Sequence, residues 1–138
     1  MKKILVATDG TPGSEKALEW AAAAATNSSE VLVVYAMAEF CPVALDEVDC
    51  NTIRCLLEKE AQNVTADALQ RLQALGVSAR AIIAQGEPVQ AIVDVAKKER
   101  ADEIVAFSHG KRGLAKLFWG SVTAQLAEEA PCPVIILK

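Results

Sequence analysis

The sequence has little of what several classes of function require. Basic residues are in the minority, 14 Lys and Arg against 18 Asp and Glu, for a net charge of −4 over 138 residues. The pI is near 5.0. Nonspecific nucleic-acid binding is excluded on that ground, because it is driven by a basic surface that displaces counterions. No stretch approaches the ~20 apolar residues of a membrane span. The apolar run that begins at Ile4 ends at Thr8-Asp9-Gly10, too short for the core of an export signal. A soluble, cytoplasmic chain with no membrane partner is expected. Cysteine is present at Cys41, Cys50, Cys55 and Cys132, but no two have the C-x-x-C spacing of metal or thioredoxin-like sites. Without an export signal the thiols are expected to be reduced. His109 is the only histidine, and no nucleophile or acid–base pair stands out. No catalytic residue and no metal ligand is assigned. Neither G-x-G-x-x-G nor a Walker A sequence occurs.

Apolar residues, by contrast, are abundant at 52%, against ~45–50% in ordinary globular chains. Alanines such as Ala21–Ala25 supply much of the excess and let helices lie close to a sheet. The length suits one domain over residues 1–138, with no repeat or linker. Strand and helix patterns alternate. Strands are expected at Lys3–Thr8, Glu30–Ala38, Val77–Gln85, Asp102–Phe107 and Val134–Leu137. The first helix is expected over Thr11–Thr26, with Thr11 as N-cap and Pro12 at the first helical position. A loop, Glu39–Asn51, with Cys41, Cys50 and Cys55 clustered about it, leads to a long second helix. Its stripe is Ile53, Leu56, Leu57, Glu60, Ala61, Val64, Ala68 and Leu72, and Gly76 closes it. Further helices are expected over Glu87–Arg100 and Ser121–Ala130. Strands that are apolar throughout, alternating with helices, imply an α/β fold: an open parallel five-stranded sheet with helices on both faces.

Ligands of such sheets sit beyond the carboxyl ends of the strands, where the strand order reverses. Two strand ends carry fitting chemistry. Thr8-Asp9-Gly10-Thr11-Pro12-Gly13-Ser14 follows the first strand, and Ser108-His109-Gly110-Lys111-Arg112-Gly113 follows the fourth. Small residues, unhindered amides and the cations Lys111, Arg112 and Lys116 suit a phosphate-bearing ligand. Gly120-Ser121 opens the last helix, whose first amides can bind an anion, although Ser121 also suits a plain N-cap.

Four segments carry a family resemblance across nearly the whole chain. Ile4-Leu5-Val6-Ala7-Thr8-Asp9-Gly10, Ser14-Glu15-Lys16-Ala17-Leu18, Gly86-Glu87-Pro88-Val89-Gln90-Ala91-Ile92 and Ala130-Pro131-Cys132-Pro133-Val134 resemble the signatures of universal stress proteins. The resemblance implies an adenine-nucleotide alpha-hydrolase-like sheet of order 3-2-1-4-5, with its reversal between strands 1 and 4. ATP-binding members carry G-x2-G-x9-G-[S/T] after strand 4. Gly110, Gly120 and Ser121 match it, whereas Phe107 stands at the first glycine. Resemblance implies ATP with Mg2+ as ligand. Asp9 would meet the ribose and Ala36 the adenine. Gly110, Gly120, Ser121 and Val122 would hold phosphates, with Thr8 and Thr123 as second contacts. The Phe107 ring either fills the crevice or turns into the core and leaves it open. Two functions follow: a nucleotide-binding stress regulator with at most slow ATP hydrolysis, or a dimeric adaptor that binds no ATP and serves an unidentified protein partner.

Val134-Ile135-Ile136-Leu137 would be an apolar edge strand with one unpaired row of backbone groups. Pairing with the same strand of a second copy, antiparallel about a two-fold axis, is the expected remedy. Proline at Ile135 is expected to remove one edge donor.

Overall fold

A computed structural model describes residues 2–37, 47–108 and 119–138, with backbone alone for 47, 48 and 119–122. The elements alternate as β1 (Lys2–Thr8), α1 (Ser14–Ala24), β2 (Ser29–Met37), α2 (Glu47–Ala74), β3 (Ala79–Gln85), α3 (Pro88–Glu99), β4 (Glu103–Phe107), α4 (Trp119–Glu129) and β5 (Val134–Leu137). The five strands form one sheet in the order β3-β2-β1-β4-β5. All four pairings are parallel. The implied topology is therefore the observed one.

The central strands are apolar at successive positions because both of their faces are covered. Ile4, Leu5 and Val6 in β1, Val31 to Val34 in β2, and Ile104 to Ala106 in β4 are wholly buried. Alternate residues serve opposite faces. Ile4, Val6, Val31, Val33 and Val105 meet Ala17, Leu18 and Ala21 of α1 and Ala68 and Leu72 of α2. Leu5, Ala7, Leu32, Val34, Ile104 and Ala106 meet Val89, Ile92, Val93 and Ala96 of α3 and Leu126 of α4. Each fully buried Leu, Ile or Val contributes roughly 1.5–3 kcal/mol.

Three helix starts differ from the sequence reading. α1 begins at Ser14, not Thr11, and its N-cap is Gly13 with no side-chain capping bond. The Thr11 hydroxyl is instead donated to the Asp9 carboxylate, and three tight i→i+3 bonds lead in: Ser14 N–H to Thr11 O, Glu15 N–H to Pro12 O and Lys16 N–H to Gly13 O, at 3.1–3.2 Å. α2 begins at Glu47, so Cys50 and Cys55 are helical. α4 begins at Trp119, which makes Ser121 a first-turn residue and not the N-cap. The α3 start follows its sequence signal: the Glu87 carboxylate accepts from the Val89 and Gln90 amides at 3.1 and 2.9 Å. No helix among the described residues is long and apolar enough to cross a membrane.

Candidate functional site

The strand order reverses between β1 and β4, so the chain leaves these two strands in opposite directions across the sheet. α1 packs on one face and α4 on the other. A crevice opens at such a switch point. The loop after β1 forms one wall. Asp9 lies there, partly buried, and its Oδ1 accepts from the Thr11 amide at 2.9 Å and from the Thr11 hydroxyl. Gly10 adopts φ +80°, and a Cβ on it would lie 2.8 Å from Cγ2 of Val64 on α2. Glycine is needed here on two counts, the left-handed backbone and the close approach.

Below Asp9, Thr8 and Ser14 are buried. Their hydroxyls lie 3.0 Å apart, Ser14 Oγ is 2.8 Å from the Thr11 carbonyl, and the Gly10 amide lies 3.4 Å from Thr8 Oγ1. The carbonyl accepts only, so Ser14 donates to it, and Thr8 must then donate to Ser14. The direction of the chain is thereby set: Gly10 N–H to Thr8, Thr8 to Ser14, Ser14 to Thr11. Thr8 thus spends its hydroxyl holding the loop.

The opposite wall begins at Phe107, the last residue of β4. Thr8 and Phe107 each lie two residues beyond the paired positions Val6 and Val105. Their side chains therefore leave the sheet on the α1 side, with Val6 and Val105. The partly buried Phe107 packs on that cluster. Its ring lies directly against Gly13, and the Lys16 ammonium stands 5.8 Å from the ring centroid. Of the two orientations open to the ring, it takes the one toward α1.

On the far side of the crevice, Gly120 and Ser121 lie in the first turn of α4, where backbone amides lack intrahelical acceptors. Thr123 is buried just behind them. Ala36 lies near the end of β2, in register with Ala84 of β3, and is partly buried. Gly110, His109, Gly113 and the cations Lys111, Arg112 and Lys116 lie outside the described residues, as does Cys41. The structure thus brings the Asp9 loop, Ala36, the first turn of α4 and Thr123 to one end of the sheet.

Several features of this end had no sequence signal. Tyr35 sits beside Thr8 in the β1–β2 register. Burial first, then the carboxylates of Glu60 and Asp9, raises its phenol above the ordinary value. A polar groove of about 440 Å³ lies between α1 and α2, lined by Thr11, Glu15, Asp67 and Arg71 among others. Thr8, Gly10 and Ser14 also line it, so it borders the loop after β1. Arg71 and Glu15 close into an ion pair across it at 2.7 Å. Among the described residues no cluster of three or more His, Cys, Asp or Glu could hold a metal. Cys50 is disulfide-bonded rather than reduced. Cys55 and Cys132 are free thiols. Burial, reinforced by Asp102 and Glu103, raises the Cys132 thiol.

The sequence model of the universal stress protein family matches residues 1–138. The chain belongs to this family. Universal stress protein MJ0531 of Methanocaldococcus jannaschii is 32% identical over 99% of this chain and 82% of its own length. The solved structure of MJ0577, described as a structure-based assignment of biochemical function, superposes with a TM-score of 0.81. It is 31% identical and covers 99% of this chain and 95% of its own. A universal stress protein from Archaeoglobus fulgidus, solved in complex with dAMP, has a TM-score of 0.72 at 24% identity, covering all of this chain and 98% of its own. At that identity the last likeness shows the fold.

Proposed function

We propose that this universal stress protein binds an adenine nucleotide, ATP with Mg2+, across the C-terminal ends of β1 and β4. It acts as a cytoplasmic, single-domain stress regulator over residues 1–138. The carrying observation is the seat of Phe107. The one departure from the family's phosphate motif turns its ring onto α1, while the first turn of α4 belongs to the other face. The dAMP complex of the A. fulgidus relative, which has the same fold, supports the choice of ligand.

The donor set suits the two ends of such a ligand. Asp9 is an acceptor for ribose hydroxyls, on a loop braced by Thr8, Ser14 and Thr11. The small side chain of Ala36 leaves room for the base. Amides of Gly110, Gly120 and Val122, with the Ser121 hydroxyl, would receive the phosphates, and Thr123 supports them from its buried position. Mg2+ in nucleotide sites is held largely by phosphate oxygens and water, so it would come with the nucleotide. The test is to denature the purified protein, chromatograph what is released, and titrate the stripped protein with ATP and AMP calorimetrically. Released or titrating adenine nucleotide is expected. Absence of both would favour the adaptor that binds no ATP.

We propose further that the protein is a homodimer through β5. The carbonyls of Pro133 and Leu137 accept from Ile104 and Ser108 of the adjacent β4 segment at 3.0 and 2.8 Å. In a parallel ladder, alternate residues turn the same way, so Ile135 also turns toward β4. Val134 and Ile136 present their amides to the outer edge. Proline at Ile135 would therefore break the internal ladder, and the informative change is Ile136→Pro. Ile136 is also exposed, at 36%. Light scattering should give about twice the 14.6 kDa chain mass for the unmodified protein and a shift toward monomer for Ile136→Pro. A monomeric unmodified protein at high concentration would reject the dimer.

A further inference from the structure

Gly13 does not have a conformation that demands glycine. Its φ of −64° and ψ of −35° are helical, and alanine is better suited to a helix than glycine is. What the position uses is the missing side chain. A Cβ there would lie 2.7 Å from Cδ1 and 2.9 Å from Cζ of Phe107, and nearer still to Cε1. Non-bonded carbons prefer roughly 3.5–4.0 Å. Three residues on, Lys16 places its ammonium over the ring at 5.8 Å. Residues three apart are neighbours on a helix surface, so the first turn of α1 forms a seat: bare backbone at Gly13 and a cation at Lys16.

Beside the seat, Thr8 and Ser14 pair their buried hydroxyls and line the groove between α1 and α2. Leu137, in register with Phe107, packs on the same cluster from β5. A ring refused by residue 13 has to leave the first turn of α1, and the end of β4 from which it springs borders the crevice.

We infer that Gly13 is the positioning residue that keeps the nucleotide crevice open. By accepting the Phe107 ring onto α1, it lets this chain carry phenylalanine at the first glycine of the phosphate motif and still bind an adenine nucleotide. This rests on the nucleotide reading of the site.

The experiment is a cycle of four proteins: unmodified, Gly13→Ala, Phe107→Gly and the double variant, each titrated with ATP and melted. The unmodified protein and Phe107→Gly are expected to bind within a few-fold of each other. Gly13→Ala should bind roughly tenfold or more weakly, the scale of one displaced aromatic rotamer. Phe107→Gly added to it should restore binding, since alanine then meets no ring. In melting, Gly13→Ala alone should lower Tm by roughly 3–5 °C, and on the Phe107→Gly background it should be neutral or raise Tm. Unchanged ATP affinity in Gly13→Ala, or a loss that persists in the double variant, overturns the inference. Binding by Phe107→Gly but not by the unmodified protein also overturns it, because the ring would then fill the crevice. If none of the four binds ATP, the nucleotide reading falls and takes this role of Gly13 with it. That outcome is distinct from failure of the inference alone, in which the unmodified protein binds and Gly13→Ala binds equally well.

Discussion

Asp9→Ala is expected to weaken adenine-nucleotide binding by roughly ten- to a hundredfold, which is the ~1.5–3 kcal/mol of a hydrogen bond to a charged group. Two losses combine in this variant. The carboxylate that would face the ribose disappears, and the Thr11 amide and hydroxyl lose their shared acceptor. Asp9→Asn separates the two losses, since its amide oxygen still accepts from Thr11 while the charge is gone. It should fall between the unmodified protein and Asp9→Ala. A second readout comes from Tyr35, the only tyrosine in the chain. Asp9 is one of the charges that raise its phenol. Removing that carboxylate should bring the ultraviolet titration of the phenol down toward its ordinary value. Calorimetric affinity for Asp9→Ala equal to that of the unmodified protein would remove Asp9 from the site.

Leu72→Ala should cost about 3–4 kcal/mol of stability and lower Tm by about 10 °C. Leu72 is wholly buried between α2 and the sheet, in the cluster with Ile4, Val31 and Val33. Its removal leaves a cavity that a sheet held by parallel ladders on both sides of the contact does not collapse to fill. Leu56→Ala, on the same helix, should leave Tm within about 1–2 °C, because Leu56 is 64% exposed. Both leucines belong to one apolar stripe in the sequence. Equal melting losses in the two variants would mean that the first turns of α2 pack far more tightly than the described structure has them.

The alternation of apolar strands with helices carried the architecture, because a strand buried on both faces has to be apolar at every position and only a parallel sheet sandwiched between helix layers buries strands that way. The β5 bounds, the glycine at the end of α2 and the Glu87 start of α3 were legible for the same reason: each is set by chemistry within a few residues. The switch point was legible once the order 3-2-1-4-5 was implied by the family signatures, and the location of Asp9 followed from it.

Other features depended on contacts between segments far apart in sequence. Thr11 has the chemistry of an N-cap, yet a carboxylate two residues earlier accepts its hydroxyl, and α1 starts three residues later. The α2 stripe is continuous in sequence, but its buried positions are Ala61, Ala68 and Leu72, the last two packed against the sheet, while Leu56 is exposed. The pairing parity of β5, which turns Ile136 and not Ile135 outward, is a property of the ladder with β4. The direction of the Phe107 ring could not be read from residue 107, because it is decided by a missing side chain at residue 13, ninety-four positions earlier. Local chemistry and periodicity thus determined the elements and the parallel sheet, and the family signatures implied its strand order. Which side chain fills a given space was decided by the tertiary structure alone, because steric exclusion acts between whatever atoms the fold brings within van der Waals range.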